Sequence, residues 1–583
     1  MNAPEYPRNR GRLDGLRYTD VVAHRLAGAL KRHGVTRLFG QSLPSMVHLA
    51  AESLGMQQVA YRSENTGGYM ADGYARTTGK VAVVTAQNGP AATLLVAPLG
   101  EALKASIPIV ALVQDVPRDS MDRNAFQDFD HIEMFQSCSK WVRRVTEASR
   151  IEDYVDMAFV QAASGRPGPA VLMLPADLLL EKPVEGLVAR KQSAGHYPLD
   201  RMVPAAAQIE EAATLLAEAR APLVIAGGGV HSSGATAALV ALQEAASLPV
   251  ATTSMGKGAV SEEHPLSVGP VGYYMGENGA ARFLRPMVTE ADVILLIGNR
   301  TNQNGTDAWT LYPTGARYIH VDIDGTEIGR NYEALRLVGD ARETLKALTA
   351  ALGTRDLARR TAARAGLEAQ IAEGRRRHRE QVAAVTASDQ APIRPERVMA
   401  EIDRRLTPET IVVGDASYTS IWLPNYLHAR KAGQRFLTPR GLAGLGWGLP
   451  MALGAKVGNP EAPVICVAGD GGFAHAWAEL ETARRMGLAV TLLVLNNQVL
   501  GFQKHAENIK FGAHTDACDF APVDHAALAR ACGLTGIRVE TAAELGPALD
   551  RALAAGETVL IDVLADPDAM PPITLYEAAV KAG

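Results

Sequence analysis

Short apolar runs rich in β-branched residues recur along the chain. They fall at Val81–Ala86, Ile109–Val113, Ala170–Leu174, Leu223–Ala226, Val293–Ile297, Tyr318–Val321, Ile411–Val413, Val464–Val467, Val490–Leu495 and Val559–Val563. Most are apolar at successive positions, not alternate ones. That is the pattern of parallel strands covered on both faces, and stretches of helical period separate them. The pattern predicts an α/β fold built from open parallel sheets. Thr19 is placed to cap a helix over 20–33 that stops at Gly34. Residues 475–488 (HAWAELETARRMGL) read as one helix, with Trp477, Leu480 and Ala483 at helical spacing. Apolar runs flank that helix, so it predicts a strand–helix–strand unit whose strands are parallel and adjacent.

Two breaks interrupt the alternation. Residues 183–203 lack periodicity and contain Gly and Pro, as a linker does. Residues 355–385 are rich in Arg, Ala and Glu and read as a solvated helical connector, its basic run a charged face. Residues 1–17 are polar and read as a loose arm. Three domains follow, over 18–185, 204–352 and 391–575, each an open parallel sheet.

A chain of 583 residues accommodates that number of domains, and 47% hydrophobic with 21% charged residues describes a soluble globular protein. A net charge of −5 offers nothing to nucleic acid or an anionic membrane. No apolar run is long enough to span a bilayer, and the N-terminus has no apolar signal segment. Cys138, Cys466, Cys518 and Cys532 lack metal-ligand spacing and suggest a reducing compartment. A cytoplasmic enzyme is the expectation.

The chemistry concentrates where two apolar runs end. Val464–Ala468 leads into Gly469-Asp470-Gly471-Gly472, and Val490–Leu495 leads into Asn496-Asn497. In an open α/β sheet, ligands bind at the carboxyl ends of strands. The glycines admit an anion to backbone N–H groups, and the following helix presents its positive end. An acid and an amide, both oxygen donors, suit a hard cation such as Mg²⁺. The two segments thus describe a site for a metal-bound diphosphate. A lone Gly-Asp-Gly would be an ordinary Rossmann-like turn; the paired Asn-Asn at this spacing argues against that.

This pairing resembles the signature of the thiamine-diphosphate-dependent enzymes. The resemblance implies that Asp470 and Asn497 hold Mg²⁺ by side chain and Val499 by its carbonyl, with Gly469, Gly471, Gly472 and Gly501 around the diphosphate. Ala416, Ser417, Tyr418 and Thr419 align with residues approaching the same group. Gly441-Leu442-Ala443-Gly444-Leu445-Gly446-Trp447-Gly448-Leu449-Pro450 looks like the segment that bends the cofactor, with Leu445 as the wedge and Ala443 at the pyrimidine. Tyr61–Arg76 is similar to the acetolactate synthase group, which makes Glu64 the carboxylate that drives the cofactor's proton relay. Burial in an apolar cleft should raise its pKa. By the same likeness, Phe126, Gln127 and Lys140 lie near the substrates, and Ser164–Pro169 is a structural turn before a strand.

In that family the first and third domains are related folds, and Glu64 meets the metal motif across a subunit interface. A homodimer or homotetramer with shared sites is therefore implied. Gly227–Val230, Thr252–Met255, Gly298–Arg300 and Asp322–Asp324 fall where acetolactate synthases contact FAD, though relatives with the same skeleton hold no flavin and Ser232 breaks the Gly-x-Gly-x-x-Gly pattern. Both alternatives stay open at this point. Several positions depart from the pattern: Ser63 for histidine, Asn65 for glutamine, Phe39–Pro44 for a Gly-Gly turn, Phe502 for methionine and Ala506 for tryptophan. The acceptor pocket is therefore altered.

The implied reaction is carboligation or decarboxylation of a 2-oxo acid such as pyruvate, with a second carbonyl compound as acceptor. Sulfoacetaldehyde acetyltransferase-like, benzaldehyde-lyase-like and simple decarboxylase chemistries are the alternatives, with a pyruvate-oxidase-like flavoenzyme behind them. Retention of Glu64, Asp470 and Asn497 argues against a non-catalytic partner subunit.

Overall fold

The computed structural model describes residues 16–185 and 190–574. Most of the N-terminal arm, residues 186–189 of the 183–203 segment and residue 575 lie outside them. Three six-stranded sheets follow one another along the chain, and every strand pairing in them is parallel. Counting strands in chain order within each sheet, the first and third share the order 2-1-3-4-6-5, whereas the middle sheet runs 6-5-4-1-2-3. The outer two are thus one topology used twice. The middle one is the order of a dinucleotide-binding sheet, with its switch point between strands 1 and 4.

All ten apolar runs form strands. The eight strands not legible as runs are short or polar, such as Arg37–Phe39, Gln57–Val59 and Phe436–Leu437. Two helix expectations are corrected. The first helix spans Val22–Arg32 without a side-chain cap, because the Val22 amide donates to the Glu181 carbonyl at 3.0 Å instead of Thr19 serving it. The 475–488 helix begins late: Asp470–Phe473 form one turn, the chain then winds through i→i−3 bonds (His475 to Gly472, Ala476 to Phe473), and the helix proper is Glu479–Met486. The connector is a 29-residue helix, Ala358–Thr386, exposed over most of its surface but seated along a seam that includes Ile371, Gly374 and Val382.

The first and third sheets are tied together by two helices, Glu64–Thr78 and Gly448–Gly458, which cross at glycines. A Cβ at Gly73 would lie 2.2 Å from the Met451 carbonyl oxygen, and one at Gly454 would lie 1.9 Å from that of Met70. Only bare backbone permits this approach, and both helices are buried at the crossing. One hydrophobic cluster runs from Phe39 and Met70 through Met451 to Cys466 and Leu492, joining the two domains' cores.

Gly454→Ala should therefore cost about 1–3 kcal/mol through overpacking. Gly366→Ala, in open space on the connector helix, should be neutral or slightly stabilising. Thermal unfolding of the two variants checks this; equal midpoints would contradict the crossing's role.

Candidate active site

The third sheet reverses strand order between Ile411–Gly414 and Val464–Gly469, and their carboxyl ends open into one cavity. Ala416, Ser417, Tyr418, Thr419, Leu445, Gly469, Asp470, Gly471, Gly472, Asn497, Val499 and Gly501 all line it. Val464–Gly469 and Thr491–Asn496 are adjacent, in register from Ile465–Thr491 to Gly469–Leu495, which brings Asp470 and Asn497 side by side. Asn496 does something different from its neighbour. Its side-chain amide donates to the Val523 carbonyl and to Asp562, both at 2.9 Å, and fixes the strand end. Asn497 is left to face the cavity.

Asp470 accepts from the amides of Gly471 (2.9 Å) and Gln498 (2.6 Å) and, among the described residues, has no cationic side chain paired with it. Burial pushes its carboxyl up to about 6 against those amides. A divalent cation in the cavity would reverse that and hold it ionised. No cluster of three or more His, Cys, Asp or Glu exists among the described residues. Gly472 is required here, since a Cβ would sit 2.3 Å from the Asp415 carboxylate.

Three non-glycine residues around the cavity hold left-handed backbone: Ser417 (φ 63°), Ala443 (φ 59°) and Gln498 (φ 60°). Such conformations cost roughly 1–3 kcal/mol each and persist where surroundings impose them. The surroundings of Ala443 are explicit. Glu101, fully buried in the first domain, accepts from the amides of Gly441 (2.7 Å), Leu442 and Ala443 (3.3 Å). Asp415 accepts from Gly446 (3.2 Å) and Trp447 (3.0 Å) beyond Leu445. Two carboxylates thus grip the loop on either side of its wedge. Trp447 also stacks on Tyr69 of the first domain, ring centroids 3.7 Å apart.

A second cavity adjoins the first and shares Ser417, Leu445 and Leu500 with it. Ala443, Phe502, Tyr273 and Arg440 add to its wall.

Glu64, Gln127 and Lys140 line neither cavity. Glu64 opens the Glu64–Thr78 helix, and burial raises its pKa, as expected. The helix start is fixed from the third domain: Glu479 accepts from the amides of Arg62 (3.0 Å) and Ser63 (3.3 Å) and from the Thr66 hydroxyl. Gln127 sits at φ 63° in a loop, its side-chain oxygen accepting from Gln87 at 2.8 Å. The neighbouring Phe126 is 86% exposed and lines neither cavity. Lys140 is engaged elsewhere: its ammonium donates to the carbonyls of Gln161 (2.5 Å) and Ser164 (3.0 Å) at the end of the Ile151–Ala163 helix. This geometry gives it a capping task. Glu101, Asp415 and Glu479 escaped the sequence reading. Nothing in the local sequence marks them, because their partners are backbone amides that no pattern announces.

The middle sheet carries its own cleft at the strand 1/strand 4 switch, lined by Gly227–Gly229, Thr253–Met255, Gly298–Arg300, Asp322 and Ile323. Gly229 and Gly298 also serve each other there, since a Cβ on Gly229 would meet the Gly298 Cα at 2.6 Å.

Comparison with known proteins decides the family. Residues 20–134 match the thiamine pyrophosphate enzyme N-terminal TPP binding domain, 209–348 its central domain and 415–563 its C-terminal TPP binding domain. The chain belongs to the thiamine-diphosphate-dependent enzymes. It is 34% identical to a probable acetolactate synthase large subunit of Methanococcus aeolicus over 87% of this chain and 85% of that one. For the Methanocaldococcus jannaschii counterpart the figures are 33%, 94% and 93%, and for the chloroplastic acetolactate synthase of Arabidopsis thaliana 30%, 92% and 80%. Among the described residues no helix is long and apolar enough to cross a membrane.

Glu101→Ala would strand three amides and remove a partner of buried Arg76, at a cost of about 3–5 kcal/mol. Because the loop carries Leu445, thiamine diphosphate affinity should fall at least about tenfold, with hydrogen bonds to a charged group worth that much. Quenching of intrinsic tryptophan fluorescence measures it; unchanged affinity would contradict the loop's dependence on Glu101.

Proposed function

We propose that this enzyme is an acetolactate synthase-like carboligase that takes a 2-oxo acid such as pyruvate as donor and a second carbonyl compound as acceptor. The observation that carries the reading is the single cavity formed by the Asp470 and Asn497 segments with the gripped Leu445 loop. Relatives at 30–34% identity over most of their length bear the acetolactate synthase name.

Asp470, Asn497 and the Val499 carbonyl would hold Mg²⁺, and the amides around Gly471 and Gly472 would receive the diphosphate. Bound there, thiamine diphosphate supplies the electron sink for loss of CO₂. Leu445 and the backbone of the left-handed turn at Ala443 would help hold the cofactor. Glu64, its pKa raised by burial, would hold and return a proton at its carboxylate for the cofactor. The second cavity, with Leu445, Leu500 and Phe502 on its wall, receives the substrates.

That Glu64 lines neither cavity supports a dimer as the active unit, with Glu64 of one subunit completing the cavity of the other. Exposed Phe126, Phe129 and Leu442 support a covered face near these elements. The middle cleft suits a dinucleotide such as FAD, with Gly-rich strand ends and Arg300 on its wall. A flavin there would serve as structure or as an accessory group, since the chemistry above needs none.

Purified protein with thiamine diphosphate, Mg²⁺ and pyruvate should release CO₂ and yield acetolactate by NMR. Glu64→Gln should slow turnover at least about 100-fold while fluorescence quenching by the cofactor persists. Acetaldehyde as sole product, or normal turnover in that variant, would overturn the reading.

A further inference from the structure

The first sheet repeats the strand order of the third, so it has its own switch point, between the strands Arg37–Phe39 and Ala82–Ala86. Open α/β sheets bind ligands beyond the carboxyl ends of strands at such a point. In the third sheet the equivalent strand end delivers Asp470. In the first it delivers Gln87-Asn88-Gly89, and this segment is spent on one residue, Gln127. The Gln87 side-chain amide donates to the Gln127 side-chain oxygen at 2.8 Å, and the Asn88 side-chain amide donates to the Gln127 carbonyl at 3.0 Å. Gly89 lies against it at φ 64°, where a Cβ would meet the Gln127 Cβ at 2.7 Å. The Gly89 amide in turn donates to Nε2 of His131, which is fully buried. Glu64 belongs to the same crevice. Tyr61, whose hydroxyl donates to the Thr85 carbonyl at 2.6 Å, is pushed well above its ordinary pKa by burial and by the Glu64 charge.

Gln127 itself holds left-handed backbone, at φ 63°. A non-glycine residue keeps that conformation only where its surroundings impose it, and such residues gather at functional sites. The bond from Gln87 also decides what is presented. A side-chain amide whose oxygen is occupied turns its NH₂ group outward, and that group is a donor only. Gln127 thus offers a donor matched to a carbonyl or carboxylate oxygen. Without Gln87, the amide could rotate and present either end.

We infer that Gln87 is a positioning residue that locks the Gln127 amide so that its NH₂ group donates to an oxygen of the 2-oxo acid. This rests on the carboligase reading and the shared site above. Gln127, like Glu64, lines neither cavity of its own chain and reaches substrate in the cavity of the other subunit.

Gln87→Lys keeps a donor to the Gln127 oxygen, and Gln87→Met removes it. The Gln87→Glu side chain, once ionised, can only accept, which turns the Gln127 oxygen toward substrate. With pyruvate, kcat/KM should stay within about threefold of wild type in Gln87→Lys, fall about tenfold in Gln87→Met and fall at least about 100-fold in Gln87→Glu. In a Gln127→Ala background Gln87→Met should cost nothing further, because positioning acts only through Gln127. Calorimetry on enzyme loaded with an unreactive thiamine diphosphate analogue gives a readout free of turnover. There Gln87→Met should weaken pyruvate about tenfold and leave tryptophan quenching by the analogue unchanged. A full Gln87→Met loss in the Gln127→Ala background, a Gln87→Glu enzyme as active as wild type, or an unchanged pyruvate affinity in Gln87→Met would overturn the positioning role. If wild-type protein neither binds nor turns over pyruvate, the carboligase reading fails and this role falls with it. An active wild type with indifferent Gln87 variants removes the role of Gln87 alone.

Discussion

The site depends on a close crossing of two backbones. Gly73 and Gly454 let the helix that begins at Glu64 and the helix that follows the Leu445 loop touch carbonyl to Cα. Around that crossing the two outer domains exchange carboxylates. Glu101 of the first grips the loop of the third, and Glu479 of the third grips the helix start of the first. Each uses a buried charge to fix backbone amides, an arrangement stronger than neutral hydrogen bonds and intolerant of a missing partner. The consequence for function is that neither half of the catalytic apparatus can shift without dragging the other domain with it.

Much of this was legible in the sequence, and the reason is physical. A strand buried on both faces must be apolar throughout, so ten of them stood out. A diphosphate site needs bare backbone next to an acid, so Gly469–Gly472 and Asn497 stood out too. The short edge strands, such as Gln57–Val59, carry too little apolar character to read. The 475–488 helix looked continuous because its apolar spacing is helical. The structure instead spends residues 474–478 on a tighter turn that delivers Glu479 to the Arg62 and Ser63 amides. Lys140 donates to two carbonyls, those of Gln161 and Ser164, that only folding brings near. The shared strand order of the outer sheets was invisible to periodicity, because register and pairing are not local properties.

The electrostatic layout of the cavities divides their tasks. The Asp470 end is acidic, its carboxyl pushed up to about 6 by burial, whereas the second cavity carries the apolar side chains of Leu445, Leu500 and Phe502 on its wall. Leu445 stands between them, on a loop whose left-handed turn at Ala443 is held by Glu101. Strain, charge and shape thus converge on one short segment, Arg440–Trp447, which carries more of the site than its Gly-rich composition suggests.

We propose that each active site is assembled from Glu64 of one subunit and the Asp470 cavity of its partner. Co-expression of Glu64→Gln and Asp470→Asn chains, each inactive alone, tests it directly. Random pairing leaves one intact site in each mixed dimer, so activity should return to about a quarter of wild type. If the mixture stays as inactive as its parents while mixed dimers are demonstrably present, the site lies within one chain and the claim is wrong.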